Sequence, residues 1–176
     1  DRPELSYAVR YTKSTCGIMV TASHNPPSDN AVKVYWAGGV QVLPPHDKGI
    51  IEHVMQANEI DRFPFEDGVQ KGRVVFMEDE IDTAFVEAVL KQATPGVRDL
   101  SVIYTPLHGV GATAVLPVLQ GAGFQDVRLF GPQADPDGDF PNVPGHVANP
   151  ENPAVMSGAI DEARSQSDDV VMASDP

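Results

Sequence analysis

Apolar and polar positions alternate along the chain in short blocks that read as helices and strands in turn. Pro3 suits a first helical turn and Glu4 adds a favourable negative charge near that end, so a helix is predicted from about Glu4 to Ser14. Gly17 punctuates it. The apolar run Ile18-Met19-Val20-Thr21 suits a buried strand that ends at Ala22-Ser23. Asn25-Pro26-Pro27-Ser28-Asp29-Asn30 consists of turn residues, and Val32 to Trp36 reads as the next strand. Ser23 therefore falls on a strand-to-loop edge.

Gly38-Gly39 marks a turn, Val40 to Leu43 a short strand and Pro44-Pro45 a stop. Asp47 is placed to cap a helix bearing Ile50, Ile51, Val54 and Met55. Ile60 to Gly72 reads as irregular, Arg73 to Met77 as a short strand, and Asp79 to Gln92 as a helix with Ile81, Phe85, Ala88 and Val89 on one side. After Ala93-Thr94-Pro95-Gly96 the pattern restarts: strand Leu100–Tyr104, loop Thr105–Gly111, helix Ala112–Gly121, strand Val127–Phe130. A long Pro/Gly/Asp loop follows, then a helix near Pro153 to Arg164 and a strand Val170–Ala173. Alternating strands and helices imply parallel pairing in open sheets. The expected fold is α/β: two consecutive units, residues 1–95 and 96–176, with mixed or mostly parallel open sheets in three layers. Such sheets bind ligands beyond the carboxyl ends of their strands, where Ser23, Thr105 and Asp175 all fall.

Composition narrows the function. With 41% hydrophobic residues, 176 residues can bury a core, and no apolar run approaches the roughly 20 residues of a bilayer span. A net charge of −13 argues against nonspecific binding to nucleic acid or an anionic membrane. The acidity is uneven: residues 1–58 hold five Lys/Arg and five Asp/Glu, and residues 59–176 hold seven against twenty. An anionic ligand meets least repulsion in the first third. The single Cys16 cannot form an internal disulfide and reads as a small buried hydrophobe in a reducing compartment, and Asp1-Arg2-Pro3-Glu4 leads into no signal peptide. A cytoplasmic protein is the default expectation. Both ends read as cut, since no initiator methionine is present and Asp175-Pro176 follows an apolar run that should hand over to a loop.

Thr21-Ala22-Ser23-His24-Asn25-Pro26 sets a small hydroxyl, with an imidazole beside it, between an apolar strand and a proline-stiffened loop. A serine gains nucleophilicity from an adjacent base or an electrophilic partner, and His24 and Lys33 are the nearby candidates. On spacing alone the plainer reading, a polar strand end before a turn, outweighs the catalytic one. His108 either faces a cleft or is a satisfied structural histidine. His46 and Lys48 read as capping and surface residues before anion contacts, and Tyr35 and Trp36 as packing before a sugar platform.

The run GIMVTASHNPPSDNAVKVYW resembles the phosphoserine signature of the α-D-phosphohexomutase family, which covers phosphoglucomutases, phosphomannomutases and relatives. Its core, TASHNP, is highly specific, and Lys33 matches the family's lysine ten residues after the serine. KVYW…GGVQVLPPHDKGI is similar to the phosphopentomutase-like branch. YTPLHGVG from Tyr104, FPNVPGHVANPEN from Phe140 and the closing VVMASDP agree in order, as part of a first domain and most of a second. Ala31 departs from the usual glycine.

The resemblance implies a phosphosugar mutase that interconverts sugar 1-phosphate and 6-phosphate through a phosphoserine and a bisphosphate intermediate. The alternatives are a phosphopentomutase, a sugar bisphosphate synthase or, in another class, a noncatalytic α/β binding module. It implies Ser23 as phosphate carrier, Lys33 as phosphoryl contact, His24 as a residue touching phosphate or substrate, and Mg²⁺ held by Ser23 and Asp175. Phosphorylated Ser23 would carry roughly −1.5 to −2 charges and needs a cation before an anionic sugar phosphate approaches; a hard, oxygen-seeking ion suits it. Asp175-Pro176 matches the first two positions of the family's Asp-x-Asp-x-Asp-Arg loop. Asp135-Pro136-Asp137-Gly138-Asp139 mimics that loop but lacks its arginine and its preceding strand, and reads as an exposed turn.

Overall fold

Helix α1 (Arg2–Tyr11) and strands β1 (Cys16–Val20) and β2 (Val32–Trp36) open the computed structural model, which describes residues 2–176. Asp1, where the expected first unit begins, lies outside the described residues. β1 and β2 pair antiparallel, with Gly17 opposite Tyr35, Ile18 opposite Val34 and Met19 opposite Lys33. Strand side chains alternate between faces, so Gly17, Met19, Lys33 and Tyr35 share one face and Cys16, Ile18, Val20, Val32 and Val34 the other. α1 covers the first face: Val9 is buried, and a Cβ on Gly17 would press on Val9 and Leu5.

The second face is open. Ile18 is 60% and Val20 64% exposed, so β1 is not the buried strand its continuous apolar run suggested. Cys16, two residues before Ile18, is exposed for the same reason and is not the buried hydrophobe expected. An unbroken apolar run reveals a strand without revealing what covers it.

Helix α2 (His46–Gln56) starts directly after Pro45, and no residue in it is buried. Asp47 lies inside its first turn and does not cap it. The expected strand at Val40–Leu43 shrinks to one bridge, Tyr35 to Gln41. A short helix, α3 (Phe65–Gln70), forms where irregular chain was expected. The expected strand at Arg73–Met77 does not form, because the Arg73 and Val74 amides donate to the Gly68 carbonyl and close off α3. Helix α4 (Glu78–Leu90) meets α1 through an edge contact of Tyr7 and Phe85, with ring centres 5.6 Å apart.

The remaining strands β3 (Ser101–Thr105), β4 (Asp126–Leu129) and β5 (Val170–Ala173) form a parallel sheet in the order β4-β3-β5. Helix α5 (Ala112–Gly121) links β3 to β4, and α6 (Ser157–Gln166) precedes β5. The chain steps to one side of β3 and then to the other. Right-handed crossovers therefore place α5 and α6 on opposite faces, giving three layers. Ile103 and Val171 pack with Phe130, Ala159 and Ala163 on the α6 side. Residues 102–105 are all buried, as a central parallel strand requires. The long loop after β4 is pinned by buried Gln133, whose Oε1 accepts from Thr105 Oγ1 at 2.7 Å while its Nε2 donates to the carbonyls of Asn142 and Val155. Where connections leave a central strand in opposite directions, a crevice opens at the strands' carboxyl ends. Thr105 and Asp175 lie at that end.

Candidate active site

Ser23 and Asp175 are 152 residues apart in the chain, and the fold brings them into contact. Ser23 Oγ donates to Asp175 Oδ1 at 2.6 Å, with the Pro176 carbonyl 3.3 Å away. A hydroxyl-to-carboxylate bond of this length is charge-assisted. His24 Nδ1 stands 3.2 Å from the same Oδ1. One carboxylate oxygen thus faces two residues of the serine loop, and the Asp175 side chain is 51% exposed.

The loop's shape follows from its sequence. Thr21 Oγ1 accepts the Ser23 amide at 3.0 Å, the local side-chain turn that Thr and Ser favour. Thr21 N donates to Ala31 O at 2.9 Å and closes the loop's base, while Asn25 Nδ2 donates to Asp29 Oδ2 at 3.2 Å across it. Ser23 takes the left-handed conformation, φ 56°, which re-aims its side chain at the end of the strand. A non-glycine residue in this region is uncommon and marks a constrained position.

Lys33 reaches the same place by strand alternation. Its face of β2, shared with Met19 and Tyr35, looks into a cleft of about 780 Å³ that is also lined by Ser23, Ser174 and Asp175. The structure therefore brings Ser23, Lys33 and Asp175 to one cleft, with His24 in contact with Asp175. His108 stands apart: it is buried, and its Nδ1 lies 2.8 Å from the Asp135 carbonyl. The expected exposed turn at Asp135–Asp139 is exposed, and Asp137 Oδ1 accepts the Asp139 amide within it. Tyr35 is buried packing, and Trp36 meets His46 edge-on.

Sequence reasoning passed over Thr21, although a threonine two residues before the serine is itself a turn signal. It also passed over Arg2, which lines the cleft and donates from Nη2 to Gln41 at 3.2 Å. Tyr104 went unnoticed as well. Its hydroxyl lies 2.7 Å from Ser174 Oγ, and burial raises its pKa above that of a free tyrosine, with the Ser174 bond opposing. No local signal marks that pair, because 70 residues separate its members.

The donor chemistry at Ser23 and Asp175, a hydroxyl and a carboxylate, is the all-oxygen kind that fits a hard divalent cation. Among the described residues no group of three or more His, Cys, Asp or Glu converges.

Two family profiles match the chain: phosphoglucomutase/phosphomannomutase alpha/beta/alpha domain I over residues 2–61, and domain II over residues 83–176. The chain is 35% identical over 99% of its length to a Haemophilus influenzae protein named "Probable phosphomannomutase", of which it covers 36%. It is 31% identical, again over 99%, to the phosphoribomutase of Saccharomyces cerevisiae, of which it covers 30%. The X-ray structure of a phosphoglucomutase/phosphomannomutase family protein from Burkholderia thailandensis superimposes with a TM-score of 0.62 at 20% identity, over 91% of this chain and 31% of that one. The chain thus spans about a third of the length of the relatives it matches. With both domain profiles matched in order and the serine loop and Asp175 facing one cleft, the chain belongs to the phosphoglucomutase/phosphomannomutase family.

Proposed function

We propose that this chain carries the phosphoryl-relay part of a phosphosugar mutase, with Ser23 as the carrier. The observation that bears the most weight is the 2.6 Å contact between Ser23 Oγ and Asp175 Oδ1. In it the hydroxyl is exposed to a cleft, oriented by its own loop, and set beside a carboxylate delivered from a different unit.

On this reading phospho-Ser23 passes its phosphoryl group to a free hydroxyl of a bound sugar monophosphate. The Ser23 Oγ–P bond breaks, a new sugar O–P bond forms, and the proton of the sugar hydroxyl ends on Ser23 Oγ. The resulting bisphosphate returns its other phosphate to Ser23 and leaves as the isomer. Lys33, on the cleft face of β2, offsets phosphoryl charge as it shifts between oxygens. His24, beside Asp175, is placed to hold the proton in transit or to orient the phosphate. Ser23 and Asp175 are the residues that would hold Mg²⁺, which when bound neutralises the phosphate charge that Asp175 alone would repel. The substrate is a sugar phosphate, with the hexose 1- and 6-phosphates first. A phosphopentose is the second reading, supported by the yeast relative's name.

Ser23→Ala in the full-length protein tests this. Turnover of glucose, mannose and ribose phosphates should all fall to background, and intact mass spectrometry should show one phosphate on the parent protein and none on the variant. Unchanged mutase activity in the variant would refute the assignment. A full-length protein that never carries phosphate and never turns over points to a noncatalytic binding module.

A further inference from the structure

Asp175 sits two residues past the end of β5, with its side chain half in solvent. Among the described residues its carboxylate hydrogen-bonds only to the serine loop, so its placement depends on the backbone on either side. Both sides are seated on the same short segment, residues 109–111. On one side, Ser174 N donates to the Thr105 carbonyl at 3.2 Å, which extends the β3–β5 ladder past the last strand residue. Ser174 Oγ then meets the Tyr104 hydroxyl at 2.7 Å. Gly111 closes over that pair: a Cβ there would fall on both Ser174 Oγ and Tyr104 Oη. On the other side, a Cβ on Gly109 would fall on Pro176 Cα. The two glycines let this loop's backbone touch the chain immediately before and after Asp175.

Tyr104 differs from the other supports because phenylalanine removes its hydroxyl alone and leaves the ring in place. Its ring is 1% exposed and fills the core as phenylalanine would. A buried hydroxyl needs a partner, and Ser174 is the one it has. Burial also raises the phenol's pKa, which keeps it neutral and able to hydrogen-bond throughout the physiological range.

From this geometry we infer that Tyr104 is a positioning residue for the proposed metal ligand: through Ser174 Oγ it fixes the backbone from which Asp175 presents its carboxylate to Ser23. Groups hydrogen-bonded behind a metal ligand commonly set its affinity without touching the ion. The inference rests on the proposed role of Asp175, and the test separates the two.

The test uses Mn²⁺ as the probe, titrated by electron paramagnetic resonance into the full-length protein and into Asp175→Asn, Tyr104→Phe, Ser174→Ala and the Tyr104→Phe/Ser174→Ala pair. Tyr104→Phe and Ser174→Ala are each expected to weaken Mn²⁺ by about threefold or more, the fold-change that a net hydrogen bond of ordinary strength gives. The double variant should be no weaker than the worse single one, because both remove the same bond. Ser174→Thr, which keeps the hydroxyl, should restore affinity. If Tyr104→Phe fails to fold, Ser174→Ala and Ser174→Thr carry the same comparison. If Asp175→Asn loses Mn²⁺ while the Tyr104 and Ser174 variants bind like the parent, the positioning role is overturned and the role of Asp175 stands. A lowered melting temperature with unaltered Mn²⁺ affinity overturns it too, since that is what a merely structural bond gives. If Asp175→Asn binds Mn²⁺ as the parent does, the metal role of Asp175 is wrong and the inference falls with it.

Discussion

Around β1 and β2 the sheet has one covered face and one open face, whereas β3 is buried along Val102, Ile103, Tyr104 and Thr105. The serine loop grows from the first region and Asp175 from the second. Thr21 and the loop's own backbone bonds hold Ser23, and its surroundings leave a cleft free beside it. Asp175 extends from a parallel ladder packed between helices and backed by two close-approach glycines. The group that would stay unchanged through a turnover is built on the stiff region. The group that would change its covalent state is built on the loop with room around it. On the proposed function, a site assembled this way would keep its fixed charge in register while its carrier is loaded and unloaded.

The largest effect that would sharpen this contrast is expected at Ile103. Its side chain is fully buried at the centre of β3, against Phe130, Ala159 and Ala163. Ile103→Ala should cost about 2–5 kcal/mol, the usual range for emptying such a site. The denaturant midpoint should fall with an unchanged slope. A loss under about 1 kcal/mol would mean that the parallel sheet is not the stiff member of the pair.

The next effect tests the first region through a single contact. Gly39 has φ +73°, and a Cβ there would fall on the Ser6 carbonyl of α1. Ser6 Oγ donates to the Gly39 carbonyl at 2.6 Å, so the turn after β2 is tied to α1 here as well as through Arg2 and Gln41. Gly39→Ala should cost about 1–2 kcal/mol from the left-handed backbone alone, and the overlap adds to it. Amide exchange should quicken in β1 and β2 while β3 stays protected, because regions of different packing open separately. Equal loss of protection in β3 would show that the two regions unfold as one and break the comparison.

The same contrast explains what could be read from sequence. Helix Ala112–Gly121 and strand Val170–Ala173 were legible to the residue, because Gly111, Gly121 and the Val-Val-Met-Ala run give clear local signals. In the first region local signals misled. Val74, Val75 and Phe76 look like a strand, yet the Val74 amide turns back to α3 and no neighbouring strand receives the segment. α3 is six residues long with Gly68 inside it, too short for periodicity to show, although Pro64 and the acidic pair Glu66-Asp67 are recognisable start signals. At the candidate site, Ser23, His24 and Lys33 are proposed through a resemblance carried by contiguous residues. Thr21, Tyr104 and Ser174 matter through contacts, two of them across 70 residues, and no spacing rule reaches that far.

The smallest effect concerns how α1 is held against α4, and two influences on Glu4 oppose each other there. Glu4 lies in the first turn of α1, where the helix dipole favours its charge by about 0.3–1 kcal/mol at exposed sites. Burial and a hydrogen bond with Asp82 of α4 act the other way and raise its pKa above the ordinary value of 4.5. A carboxyl whose pKa is higher in the folded state than in the unfolded one is protonated in both states at low pH and carries no penalty there. As pH climbs from about 4.5 through the folded value, ionisation next to Asp82 costs stability. Glu4→Gln removes the titration. Relative to the parent, the variant should therefore gain melting temperature between pH 4 and pH 7, by an amount small enough to need paired measurements. If the dipole governs, the gap moves in the opposite direction and the variant loses ground as pH rises. The sign of that change reports whether α1 is set mainly by its own end or by its contact with α4, which is one of the contacts that join the thinly packed region to the rest of the fold.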